Sequence, residues 1–328
     1  MALSAWKKIG FQFLKMIILL LVISVLSFTL VEISPIDPVT AYVGGDSMAT
    51  KEHREQIAEK WGLNEPASTR FFKWMGNILH GDFGTSQIYG RPVLNIIGEK
   101  FKASLVLMGV AWVVSGLFGF LLGVLAAAYK GSILDKIVKV YCLVLQSSPA
   151  FWIGMVCLLF FSVYLGWFPI GLAAPIGKTA AEVTLGDRIY HMVLPAFVLS
   201  LTGISNIALQ TREKLIQVME SDFALFARSR GERLWTFIRR HGIRNILLPA
   251  VTLQFGTLSE LFGGSVLAEN VFSYPGLGAT TTQAGMSADI PLLLGITIFS
   301  AVFVFTGNMI ANLLYPIIDP RIREGGRL

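Results

Sequence analysis

The sequence predicts an all-α integral membrane protein of about six transmembrane helices. Three observations carry that expectation. Hydrophobic residues make up 54% of the 328 positions against 15% charged, and mean hydropathy is +0.64; a soluble chain carries about 25% charge. Five apolar blocks reach the roughly 20 residues that crossing a bilayer core takes, and a sixth, near the N-terminus, runs 16 residues without a charge. The cations gather in segments between alternate blocks, as the positive-inside rule asks. The same composition excludes disorder, which needs low hydrophobicity and high net charge. It also makes membrane topology, and not nucleic acid, the first explanation of the net charge of +6. The two cysteines, Cys142 and Cys157, share one apolar block. On one helix they would stand roughly 22 Å apart, beyond disulfide reach.

Residues 1–15 hold Lys7, Lys8 and Lys15 and no acid, and 16–31 then run uncharged. The region lacks an A-x-A cleavage site and runs into Glu32, Pro35 and Pro38, so it reads as an uncleaved first span rather than a signal peptide. Residues 1–35 form this first division. Residues 36–100 are polar, with Lys51, Glu52, Arg54 and Glu59 among turn residues. A helix over roughly 48–61 would be capped by Asp46 or Ser47 and ended by Gly62, and Pro66 would open a second. Apolar blocks follow at 103–129, 140–170 (with Pro149), 192–211, 245–268 and 291–318. Together, 101–318 form a five-helix membrane core, with a basic loop at 212–244 and a polar tail at 319–328. Threaded from a cytoplasmic N-terminus, the 130–139 loop, the 212–244 loop and the tail all face the cytoplasm, and 36–100 lies outside.

The 212–244 loop carries Arg212, Lys214, Arg228, Arg230, Arg233, Arg239, Arg240 and Arg244. Residues 221–240 have helical composition interrupted at Gly231. Two short helices meeting at a glycine would protrude as a rigid knob; the plainer reading is a charge anchor on the inner leaflet.

Its residues point further. Ala227-Arg228-Ser229-Arg230-Gly231 is followed by Arg239-Arg240-His241-Gly242-Ile243-Arg244-Asn245-Ile246-Leu247-Leu248-Pro249. Elsewhere stand Gly81-Asp82-Phe83-Gly84-Thr85-Ser86, Arg91-Pro92-Val93, Gly131-Ser132 with Asp135, and Pro149 with Phe151-Trp152. Leu165-Gly166-Trp167-Phe168-Pro169, Glu269-Asn270-Val271-Phe272-Ser273-Tyr274-Pro275-Gly276 and the tail Asp319-Pro320-Arg321-Ile322-Arg323 complete the series. This ordered string resembles the permease subunits of ABC importers, and more narrowly the dipeptide/oligopeptide/nickel family. Leu225-Phe226-Ala227 departs from the family's E-A-A start, Ser229-Arg230 from its small residue and lysine, and Ser34-Pro35-Ile36-Asp37-Pro38 from a P-G-D-P-like turn.

The resemblance implies a type I ABC importer permease fold in a bacterial or archaeal inner membrane, with both termini cytoplasmic. It implies a second homologous permease, two ABC ATPase subunits, an extracytoplasmic solute-binding protein, and peptide or nickel-type solutes. Ala227, Arg228, Ser229, Arg230, Gly231, Arg239 and Arg240 would then form the ATPase-coupling surface, with small Ala227 and Gly231 permitting close approach. This chain shows no G-x-x-x-x-G-K-[ST] phosphate loop; ATP and magnesium would belong to the partner ATPases, with no cofactor on this chain.

Within the spans, Glu260 is the most informative side chain. A carboxylate at membrane depth costs at least about 2.5–3.5 kcal/mol and is usually functional or paired. Its partner would be water, the second permease or a cationic group of the solute, and Gln254 and Ser259 are candidates for the same path. Gly119 and Gly123 form a G-x-x-x-G pair suited to close helix packing. His53, His80, His191 and His241 show no ligand spacing, and no catalytic constellation is evident. An ion-coupled secondary transporter using Glu260 is the main alternative; an intramembrane enzyme and a non-transporting scaffold are weaker ones.

Overall fold

The computed structural model describes residues 2–34, 39, 51–60, 62, 64–179 and 181–318. The Pro35–Pro38 turn, the Asp46 and Ser47 caps and the 319–328 tail lie outside the described residues. Helices dominate, and among the described residues the extended pairing is one isolated bridge between Thr85 and Pro92. Four helices are long and apolar enough to cross a membrane unbroken, and two bent helix pairs bring the number of spans up to six.

The chain divides into two compact units, Met1–Ala103 with Gly276–Thr306, and Ser104–Pro275 with Gly307–Leu328. These units cut the chain differently from the sequence divisions, since the stretch after Gly276 joins the N-terminal part.

The first unit holds α1 (Ala2–Glu32), α2 (Lys51–Lys60) and α3 (Ala67–Leu79). Gly62, at φ +67°, follows α2, and Pro66 stands directly before α3, where its missing N–H costs nothing. Arg70 pairs with Glu32, and Phe28, Phe71 and Trp74 cluster beside that pair. The unit also includes the start of α4 (Val93–Ala128), α12 (Leu277–Met286) and much of α13 (Ile290–Ile318). Phe101 packs edge-on against Phe299 and Phe303, both at 4.9 Å. Asp289 is fully buried. Its carboxylate accepts from Ser86 Oγ at 2.5 Å and from the backbone N–H groups of Ile88 at 3.0 Å and Leu292 at 3.2 Å. These bonds tie the 86–88 turn to the entry of α13 and offset the desolvation of a buried carboxylate. Residues 269–290, between two apolar blocks of the sequence, are thus largely helical, and the chain enters α13 through a buried acid.

The second unit is built on α4 and α7 (Leu185–Met219). α7 opens with a reciprocal capping box between Thr184 and Asp187, which satisfies two N-terminal donors. The G-x-x-x-G face of α4 lies directly on α7. A Cβ on Gly119 would stand 2.8 Å from Ile207 Cβ, and one on Gly123 would stand 2.6 Å from the Ala208 carbonyl oxygen. Glycine here permits backbone-to-backbone approach, as small residues do between membrane helices. Gly123→Ala gains at most about 1 kcal/mol of helix propensity, whereas overpacking against a backbone that cannot yield costs about 1–3 kcal/mol. The variant is therefore expected to melt earlier than wild type in detergent. Gly109→Ala on the same helix, where a Cβ meets open space, should melt no earlier.

The remaining two spans of this unit are bent. α5 (Ile133–Ser147) and α6 (Ala150–Cys157), the latter continuing as a π-helical stretch Leu158–Tyr164, meet at 111°. Pro149 explains the break: it has no N–H to donate, and it forces the residue before it out of the helical region. Ser148 is accordingly extended, at φ −98° and ψ 137°. The block 140–170 is thus two helices at a sharp angle. The second bent pair joins Leu234–Gly256 to α11 (Leu258–Val271) at 50°. At its break, Thr257 Oγ1 donates back to the Gln254 carbonyl at 2.9 Å, a competition with the helical ladder that bends helices.

Candidate functional site: a knob and a cleft

α7 runs on to Met219, so Arg212 and Lys214 belong to a span rather than to a loop. The knob begins with α8 (Asp222–Ser229), and α9 (Leu234–Phe237) leads through a π-turn at Ile238–Gly242 into α10 (Ile243–Gly256). α8 ends in a Schellman motif. Gly231 N–H donates to Arg228 O at 2.9 Å, and Glu232 N–H donates to Ala227 O at 3.2 Å. Gly231 sits at φ +81°, the left-handed position that favours glycine after a helix. A Cβ there would meet nothing within 4 Å. Its role is thus to turn the chain between the two short helices; no neighbour among the described residues demands its small size.

Ala227 also differs from expectation. It is buried and packs with Ala224, Phe237 and Ile238 against Leu215, Ile216 and Met219 of α7 and Val124 and Ala127 of α4. That apolar cluster fixes the knob to the membrane helices. The outward face of α8 carries Phe223, Leu225 and Phe226, the last two over 60% exposed. Arg228, Ser229 and Arg230 are exposed beside them, as are Arg239 and Arg240. The Arg230 guanidinium lies 5.9 Å from the Phe226 ring centre. Arg240 and His241 approach Glu232 at 4.0 and 3.5 Å. The sequence reading weighted the arginines and missed the exposed aromatics between them, although Leu225 and Phe226 stand where the E-A-A start was absent. An apolar patch rimmed by cations has the anatomy of a protein interface.

Glu260 lies in the first turn of α11, three residues past the Thr257 break. It makes no hydrogen bond or ion pair among the described residues, and it is exposed to a cleft of about 130 Å³. Thr202 and Asn206 of α7 line the cleft from one side, Thr257, Glu260 and Gly264 from another, and Ala150 from the Pro149 break. Both interrupted spans therefore contribute their breaks to one cleft, walled largely by apolar side chains such as Val198, Leu199 and Leu261, into which Glu260, Asn206 and Thr202 bring polar groups. Irregular backbone at membrane depth is tolerated where it lines a cavity.

The other two path candidates are placed elsewhere. Gln254 is buried, with Nε2 donating to the Trp112 carbonyl at 2.5 Å, while Trp112 Nε1 donates to the Gln254 carbonyl at 2.8 Å. It staples α10 to α4 and does not line the cleft. Ser259 Oγ donates to Asn308 Oδ1 at 2.7 Å and lies outside the cleft lining. Glu269, fully buried, accepts from Ser104 Oγ at 2.6 Å.

One ionic contact escaped sequence reading altogether. Arg212 forks onto Asp135, Nε to Oδ1 at 2.6 Å and Nη2 to Oδ2 at 2.9 Å. Asp135 is 1% exposed and also accepts from the Gly131 N–H at 2.9 Å.

A membrane subunit with broken spans around a cleft that holds a carboxylate, and a structured knob between spans, defines a transport permease. The profile of the binding-protein-dependent transport system inner membrane component matches residues 119–324, and that of the N-terminal part of such membrane components matches residues 9–109. The chain belongs to that family, as a multi-pass inner-membrane permease of ABC importers. It is 37% identical over 305 residues to an oligopeptide transport system permease protein of Bacillus subtilis, covering 93% of this chain and 95% of that one. A putative peptide transport system permease protein of Brucella abortus is 33% identical over 304 residues, again covering 93% and 95%. Among solved structures, an inward-facing methionine ABC transporter superposes with a TM-score of 0.54 at 17% identity, covering 69% of this chain and 97% of that chain. That likeness bears on the fold alone.

Proposed function

We propose that this permease imports peptides, driven by ATPase subunits that dock on its knob. The carrying observation is the exposed Phe223–Leu225–Phe226 face rimmed by Arg228, Arg230, Arg239 and Arg240. Such a face is costly to leave in water and suits a groove with acidic edges. The relatives' peptide names support peptides over nickel as the solute. Under this reading the knob and both termini face the cytoplasm, a second, different permease completes the path, and a solute-binding protein delivers from outside. Closure of the ATPases would push the knob, and the spans would rock as rigid bodies.

The cleft at Glu260 is the proposed contact with the passing solute. A carboxylate unpaired among the described residues, beside the amide of Asn206 and the hydroxyl of Thr202, suits the protonated amino group of a peptide. Nothing observed favours the ion-gradient alternative. Purification of the tagged chain from its native membrane in mild detergent, followed by mass spectrometry, tests the reading. ATPase subunits and a second permease are expected to co-purify. A chain recovered alone that still transports in liposomes without ATP overturns it.

A further inference from the structure

We infer that the turn between α4 and α5, residues 129–135, is a strut that carries knob motion to the bent α5–α6 span, with Asp135 as its positioning residue. The inference rests on the reading that ATPases push the knob. Three contacts along this short turn reach the knob or the end of α7 that feeds it. The Tyr129 ring meets the Trp235 ring of α9 at 6.2 Å. Lys130 pairs with Glu220, the residue that caps α7 just before α8. Asp135 takes the bidentate grip of Arg212, two turns earlier on α7.

The strut is stiff at its own end. Gly131 turns at φ +82° and donates its N–H to Asp135 at 2.9 Å. Ser132 Oγ caps α5 by accepting from the Asp135 N–H at 3.3 Å. One carboxylate therefore holds the turn, the first turn of α5 and the end of α7 together. A fork-to-fork guanidinium–carboxylate pair fixes orientation as well as distance, and a buried one resists rearrangement because its partners would be left unsatisfied. α5 then runs to the Pro149 break, and the residue after that break, Ala150, lines the Glu260 cleft. A displacement of the knob thus has a continuous load path to the recess: through Trp235 and Glu220 to the turn, along α5, and across the bend. The α8 core cluster includes Val124 and Ala127 of α4 but no residue of α5 among its members; α5 packs instead along α7 and α4, through Val138 and Cys142 against Ala208 and Ala126, so the turn is what joins the foot of α5 to the knob.

The test uses the complete importer, with its second permease, ATPases and binding protein, in proteoliposomes. Asp135→Asn keeps the shape of the side chain and removes the charge that holds Arg212. Solute uptake per ATP hydrolysed is expected to fall at least tenfold, while solute-stimulated hydrolysis continues. Asp135→Glu should restore part of that ratio. A parallel fall of uptake and hydrolysis, or normal uptake per ATP in the assembled complex, overturns the strut. Should Asp135→Asn not assemble, the exposed pair Tyr129→Ala with Lys130→Ala decides: an unchanged ratio overturns the proposal and a lowered one supports it. Wild-type liposomes showing no solute-stimulated hydrolysis would instead defeat the ATPase reading beneath it.

Discussion

Phe226→Asp is expected to separate the permease from its ATPase partners while leaving the permease folded. The side chain is 62% exposed and contributes nothing to the cluster that seats the knob. Truncating a central aromatic anchor of an interface costs about 2–4 kcal/mol. Placing a charge in the same desolvated spot adds to that loss, so affinity should fall at least about 100-fold. Pull-down of the ATPase subunits should fail, and solute-dependent ATP hydrolysis should vanish. The melting temperature of the purified permease should stay within about a degree, since exposed substitutions change stability by less than about 0.5 kcal/mol. Ala227→Asp, aimed inward, should instead unfold the knob. Equal retention of the ATPases by Phe226→Asp and wild type would remove α8 from the docking surface.

Glu260→Gln is the second large effect. A hydrogen bond to a charged group contributes about 1.5–3 kcal/mol, so losing the charge should slow uptake of a free-amino peptide about 10- to 100-fold. An amino-acetylated peptide of the same sequence has no charge to lose and should be carried equally by both proteins. Complex yield should not change, because Glu260 makes no bond among the described residues. Equal slowing of both peptides would assign the carboxylate to assembly or gating rather than to the solute.

Much of this was legible in the sequence, and the limits have physical causes. Six apolar blocks gave the spans because bilayer thickness sets a length that composition reveals. Pro149 marked its break because a proline acts on its neighbours in sequence. Gly231 was found by motif, and the left-handed φ explains why glycine stands there. What stayed hidden was direction and long-range pairing. Ala227 and Phe226 are adjacent, and only the placement of α8 decides which one turns inward. Gln254 resembles a path residue because a polar group in an apolar block has few other readings, yet its amide is spent on the Trp112 carbonyl, 142 positions away. Arg212 was grouped with the knob arginines because its partner Asp135 is 77 residues distant. No local pattern announces such a pair.

The Pro149 break has a consequence for how the chain is made. α5 has 15 residues, a reach of about 22 Å, and the core of a bilayer is about 30 Å thick. Neither half of the bent pair is long enough to be accepted as a span by an insertion machinery that weighs length and apolarity. The nascent chain must offer 133–164 as one stretch, with the bend already written in at Pro149, and the foot of the span is held only once α7, made later, supplies Arg212 to grip Asp135. The order of synthesis therefore sets the order of folding: this span is inserted before the residue that anchors its foot exists.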